Sequence, residues 1–314
     1  MKHFLFTFFC LYLLFLPPCL GNAPDSVALE MLAQFERTHP QKSEYFENVD
    51  PQNYINNIRR RLYAPEKFCQ GFGTQFCGPS ILIVNLLLLR NQKAYIQLMI
   101  DLFQHGKAVY YNGKDSVLLS PDAQTRSFAG RIYDGEKKSE MEYREMKGQQ
   151  YVMHSELLSD NQADQVLLLS LKHRYPGLIG NGSFKKGEHS KYLRFASTLF
   201  KQLKEIAKDF FHANFTAKGG AIHDMRPSDR RTMTEITEAC KAGKTLFLMV
   251  DAEYFREKRD LLLWGSHYIK VFDLQVHKKT IDFEMWDYGY RRWVKGYSKA
   301  RFISAITGYL IIET

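Results

Sequence analysis

The sequence predicts an α+β fold in which helices come first and an antiparallel sheet comes last. Two observations predict it. In the first part of the chain apolar residues recur at helical spacing, as in residues 156–173 and 190–211, which read as amphipathic helices. From residue 244 the period changes to two, over 245–250, 267–274 and 280–287, with a last strand at 309–312. A run of helices followed by a run of strands favours α+β over an alternating parallel sheet.

The N-terminal residues stand apart from this pattern. Lys2 precedes an apolar run over 4–16, Pro17-Pro18 ends it, and Gly21-Asn22-Ala23 supplies small residues at a cleavage position. This reads as a secretory signal peptide over 1–23, leaving one domain over 24–314 and an exported, periplasmic or secreted product. The competing reading is an uncleaved anchor, but the run is short for a membrane span. No later segment is apolar enough to cross a membrane.

After the leader, 28–37 and 52–63 read as helices and 66–76 as a Gly-rich loop. Residues 77–105 read as one or two apolar helices. Short strands at 108–111 and 117–119 lie in an otherwise polar stretch. A short helix at 234–242 ends at Gly243, and another at 299–305 precedes the final strand. Ala242-Gly243-Lys244-Thr245 imitates the end of a phosphate-binding loop. Such a loop needs a strand before it and a helix after it, and here the order is reversed. Gly243 is read as a helix C-terminal residue.

Composition excludes some classes. The formal net charge is +9 at pH 7. That sign suits nucleic acid, anionic lipid or acidic protein, but the charge is spread along the chain, and no nucleic-acid partner is expected. Of the five cysteines, Cys10 and Cys19 lie in the leader and Cys69, Cys77 and Cys240 in the body. This is no disulfide scaffold, an odd count leaves a thiol over, and nothing in the spacing requires Cys69 to pair with Cys240. No second Cys or His stands at zinc-finger spacing, so neither a metal nor another cofactor is expected.

Cys77-Gly78-Pro79-Ser80 opens a helix that is apolar almost all round. Pro79 suits the first turn, where a missing N–H costs nothing. A cysteine at the start of a buried helix has free N–H groups and the positive end of the dipole beside it, which favour a thiolate. The bland alternative is a small buried cysteine.

His267 opens one strand and Asp287 closes the next. With a hairpin turn centred on His277, Ile269 faces Met285, Val271 faces Phe283, and His267 faces Asp287. Directly opposed side chains in such a ladder lie about 4.5–5.5 Å apart at Cβ, within reach of an imidazole–carboxylate bond. Cysteine, histidine and carboxylate form a nucleophile, a base and an orienter. Taken singly, His267 could be a strand-end histidine and Asp287 a turn residue. Their joint placement is what suggests catalysis.

Read in order, these segments resemble the papain-like cysteine peptidases. Within that superfamily they are most similar to the bacteriocin-processing peptidase domains of bacterial peptide exporters. The resemblance is carried by Gln70, Gln75-Phe76-Cys77-Gly78-Pro79-Ser80, Ala242-Gly243-Lys244-Thr245-Leu246-Phe247, Gly265-Ser266-His267-Tyr268-Ile269-Lys270-Val271 and Trp286-Asp287-Tyr288-Gly289. It implies a helical lobe with a buried nucleophile helix packed on an antiparallel sheet lobe, with an insertion at about 106–233. It further implies Cys77 as nucleophile, His267 as base and Asp287 as orienter. Gln70, seven positions before Cys77, would donate to the oxyanion, with Gln75 the alternative. The implied activity is a thiol-dependent hydrolase cleaving a peptide or isopeptide bond of a protein or peptide substrate. Secreted effectors on this scaffold instead perform acyl transfer or deamidation, and an inactive scaffold would be a binding module.

Overall fold

The computed structural model describes residues 23–38, 41–68, 76–88, 90–132, 141–146, 149–153, 158–176, 200–211, 214–219, 230–251, 265–287 and 289–313. Residues 1–22, Cys69, Gln70 and Gln75 lie outside them. Among the described residues no helix is long and apolar enough to cross a membrane.

The first half is helical. Helix α1 (Ser26–Thr38) is capped by Asp25, whose carboxylate accepts from Val27 N at 2.8 Å, and it buries Ala28, Leu32 and Phe35. Helix α2 (Pro51–Tyr63) has Asp50 as its cap and proline at its first position. A 3₁₀ turn, Pro65–Lys67, follows. Helix α3 (Cys77–Ile83) continues into a π turn, Val84–Leu88. Helix α4 (Gln92–His105) is capped by Asn91 and ends at Gly106, whose φ of 65° makes it a left-handed cap. A small hairpin, β1 (Ala108–Tyr111) and β2 (Ser116–Leu119), leads to α5 (Ala123–Phe128). A second hairpin, β3 (Met141–Met146) and β4 (Gln149–Met153), precedes α6 (Gln162–Arg174).

Helix α6 departs from the expected amphipathic pattern. Every residue from Ala163 to Lys172 is buried, including Asp164, Gln165, Ser170 and Lys172. A helix buried on all sides sits inside the core, and α6 packs against α2, α3 and α4. Its polar residues are interior side chains, which periodicity alone reads as a solvent face. The stretch 106–233 thus contributes the centre of the helical core.

The second half is the sheet. After α7 (Phe200–Phe211) come β5 (Phe215–Gly219), α8 (Arg230–Lys241), β6 (Thr245–Asp251), β7 (Gly265–Val276), β8 (Thr280–Asp287), β9 (Tyr290–Ser298), α9 (Lys299–Ala305) and β10 (Ile306–Ile312). Six strands form one sheet in the order β5-β10-β6-β7-β8-β9, all pairs antiparallel. Phe247, Tyr268, Trp286, Leu310 and Ile312 face the helical core. Leu246, Leu248, Ile269, Val271, Phe283 and Met285 face a second core with residues of α8 and α9. This is the expected α+β architecture with an antiparallel sheet.

Two strands of this sheet were not foreseen, and neither was the β3–β4 hairpin. β5 adds an edge to β10, and β9 forms the opposite edge. Arg291, Arg292 and Lys295 break the apolar alternation of β9. Charges on an edge strand block pairing with other chains, so they belong there.

The β7–β8 register also differs from expectation. Val271 pairs with Met285 and Lys270 with Trp286; beyond a bulge, Leu274 pairs with Phe283 and Val276 with Ile281. The turn is centred between Lys278 and Lys279, with His277 N donating to Thr280 O at 2.8 Å. Toward His267 the shift is two residues, which keeps side chains on their original faces, so the hydrophobic pattern cannot detect it; beyond the bulge it is three.

Candidate active site

His267 is the third residue of β7 and Asp287 the last of β8. The corrected register makes them diagonal neighbours. Along the ladder His267 pairs with Val250 and Asp287 with Tyr290. Diagonal side chains remain within reach when they are long. The imidazole Nε2 lies 2.5 Å from Asp287 Oδ1, and both side chains are buried. With Nε2 engaged by the carboxylate, a thiol would be served through Nδ1.

The other carboxylate oxygen has a partner the sequence reading missed. Arg292 Nη2 donates to Asp287 Oδ2 at 3.2 Å. Arg292 stands on β9 opposite Met285, two residues from Asp287 on the same face. Its position depends on the two-residue turn after Asp287, where Gly289 has φ 81°. Such turns need positive φ, which glycine adopts without strain. The sequence signal was present in Asp287-Tyr288-Gly289, but it becomes legible only once β9 is recognised.

Cys77 is the first residue of α3 and is buried. Helix α3 packs on β7, and two interactions give its direction. A negative charge on Cys77 would be near enough to Tyr268 to help burial raise the phenol pKa. Further along, Lys270 Nζ donates to Asn85 Oδ1 in the π turn. The helical run therefore advances in the same sense as β7, with Cys77 toward the His267 end.

Lys172 is a second group the sequence did not single out. It is fully buried on α6, which packs on α3. Burial pushes its ammonium down to about 8, and a negative charge on Cys77 works against that drop. Burial, helped by Asp273, pushes the Cys240 thiol up to about 12. Cys240 is free. Gln70, the expected oxyanion donor, lies outside the described residues. Among the described residues no His, Cys, Asp and Glu cluster could hold a metal ion.

Lys270 gives a test of the electrostatics that needs no activity. Burial first, and then the Arg90 and Arg291 guanidiniums, push it down to about 7. The unfolded chain keeps this lysine protonated to about 10.4. Between these limits the unfolded state binds more protons, so stability rises with pH. Below about 7 the full penalty of the buried charge is present. Lys270→Met is expected to remove up to ~1.4 kcal/mol per pH unit from that slope. Urea unfolding at several pH values from neutral to mildly alkaline checks this; an unchanged slope would place the ammonium in water.

No protein-family model matches the chain, and no curated protein matches it.

Proposed function

We propose that the chain is a thiol-dependent hydrolase acting on a peptide or isopeptide bond of a protein or peptide. The observation that carries this reading is the buried His267–Asp287 pair, backed by the half-buried Arg292, at the strand end toward which α3 directs Cys77. Buried charged groups are costly unless paired, and here the pairing holds an imidazole on the residue next to Tyr268, whose strand packs on the helix bearing the thiol. The papain-like scaffold inferred from the motif order is consistent with the helix-on-sheet arrangement.

In the proposed reaction His267 Nδ1 takes the Cys77 proton, and the sulfur attacks the carbonyl carbon of the scissile bond. The imidazolium returns that proton to the leaving amine as the C–N bond breaks. Water, deprotonated by His267, then attacks the thioester, and the thiolate leaves. Asp287 holds the imidazole and complements its positive charge. The reading carries one geometric requirement. Tyr268 and Lys270 face the helix, and His267 alternates with them, so thiol and imidazole must meet around the end of β7 rather than across a shared face.

Alkylation by iodoacetamide at neutral pH tests the reading. Cys77 is expected to react far faster than Cys240, because thiolate is the nucleophile and burial holds the Cys240 proton on. Peptide mapping reads both sites in one sample. Equal rates at Cys77 and Cys240 would remove the hydrolase reading and leave a binding module.

A further inference from the structure

A cleft of about 470 Å³ lies at the C-terminal end of α2, lined among others by Arg59, Arg60, Arg61, Tyr63 and Lys67, with no acidic residue among the described residues of its wall. Two of its four cations are neutralised. Arg59 pairs with Glu36 at 2.5 Å and Arg61 with Asp164 at 2.9 Å. The other two have no carboxylate partner among the described residues. Arg60 donates one bond to the neutral Asn161 Oδ1 at 3.0 Å, and Lys67 Nζ rests 4.1 Å from the Tyr290 ring centroid. Arginines in a last helical turn also complement the helix dipole. That explanation does not extend to Lys67, which lies beyond the helix in the 3₁₀ turn.

The cleft is attached to the candidate active site. Its Pro65–Lys67 wall packs on β9. Trp286 Nε1 donates to Glu66 O at 2.6 Å. Tyr290, under the Lys67 ammonium, is the strand partner of Asp287. The wall is therefore fastened to the end of the sheet that holds the Asp287 carboxylate.

We infer that this cleft is a subsite for an acidic segment of the peptide substrate, with carboxylates seated between Arg60 and Lys67. Guanidinium and ammonium donors supply charge-assisted bonds to carboxylate oxygens, and the exposed Tyr63 ring offers an apolar shoulder for the peptide. The inference rests on the reading that the substrate is a peptide.

The test uses the full chain with Cys77→Ala, which cannot turn over, and fluorescent hexaglutamate and hexaglutamine peptides at low ionic strength. Hexaglutamate is expected to bind at least ~10-fold more tightly than hexaglutamine, since one charge-assisted bond is worth about 1.5–3 kcal/mol. Arg60→Gln/Lys67→Gln is expected to abolish that preference. Lys201→Gln/Lys208→Gln, on exposed positions of α7, makes the same change of net charge and is expected to keep it. Equal loss in both double variants would reduce the effect to overall charge and overturn the subsite. So would equal binding of the two peptides, or displacement of hexaglutamate by comparable concentrations of inorganic phosphate. Binding is measured without turnover, so its outcome is separate from Cys77 alkylation: either result can fail while the other stands.

Discussion

His267→Ala is expected to lower the rate of acyl-enzyme formation at Cys77 by ~10²–10⁴, the usual contribution of a positioned general base. The burst of nitrophenol from an activated ester, p-nitrophenyl acetate, measures it. Asp287→Asn should also be costly. The carboxylate accepts from the imidazole on one oxygen and from Arg292 on the other. An amide has one oxygen and one NH₂, so one of the two donors would face another donor. A buried donor left unsatisfied costs about 1–3 kcal/mol, or roughly 5- to 150-fold. Adding Arg292→Gln removes the competing guanidinium, frees the amide oxygen to turn toward His267, and is expected to recover part of the loss. A burst unchanged by His267→Ala would show that the imidazole does not serve the thiol, and the three-residue site would be structural.

The largest effect on stability is expected at Asp164. Arg61 and Asp164 are both fully buried, with Arg61 Nε donating to Oδ2 at 3.0 Å and Nη2 lying 2.9 Å from the same oxygen. Asn161 Oδ1 accepts from Arg61 Nη2 at 2.7 Å and from Asn57 Nδ2 at 2.9 Å, and Asn57 Oδ1 accepts from Asp164 N. This network joins α2 to α6 inside the helical core. Asp164→Ala would leave a guanidinium buried without its counter-charge, at a cost of ~3–5 kcal/mol. Replacing both partners, as Arg61→Met/Asp164→Leu, removes the uncompensated charge together with the pair and is expected to be much milder. Urea unfolding of the three variants measures the difference. A cost below about 1 kcal/mol for Asp164→Ala would mean that water reaches the guanidinium.

Much of the sheet's end was legible locally. The expected strand over 280–287 and helix over 299–305 coincide with β8 and α9. The pairing of His267 with Asp287 was also found, although through a register that the structure corrects. The pairing survived because a two-residue shift conserves faces, and imidazole and carboxylate bridge a diagonal as well as a direct pair. Helix α6 shows the opposite case. Its buried Asp164 looks like part of a solvent-facing side until its partner Arg61 is known, and that residue lies far away in sequence.

The chain by itself determined the order of elements, the two periodicities, the helix start at Cys77, and the choice of His267 and Asp287. These follow from local sterics, capping and which residues avoid water. Tertiary structure alone decided the bulge in β7, the edge strand β9 with Arg292 on the Asp287 carboxylate, the burial of Lys172 beside Cys77, and the cleft that collects Arg60 and Lys67. Each of these depends on groups brought together from distant parts of the chain, and electrostatic partners at such separations leave no trace in a period of two or 3.6.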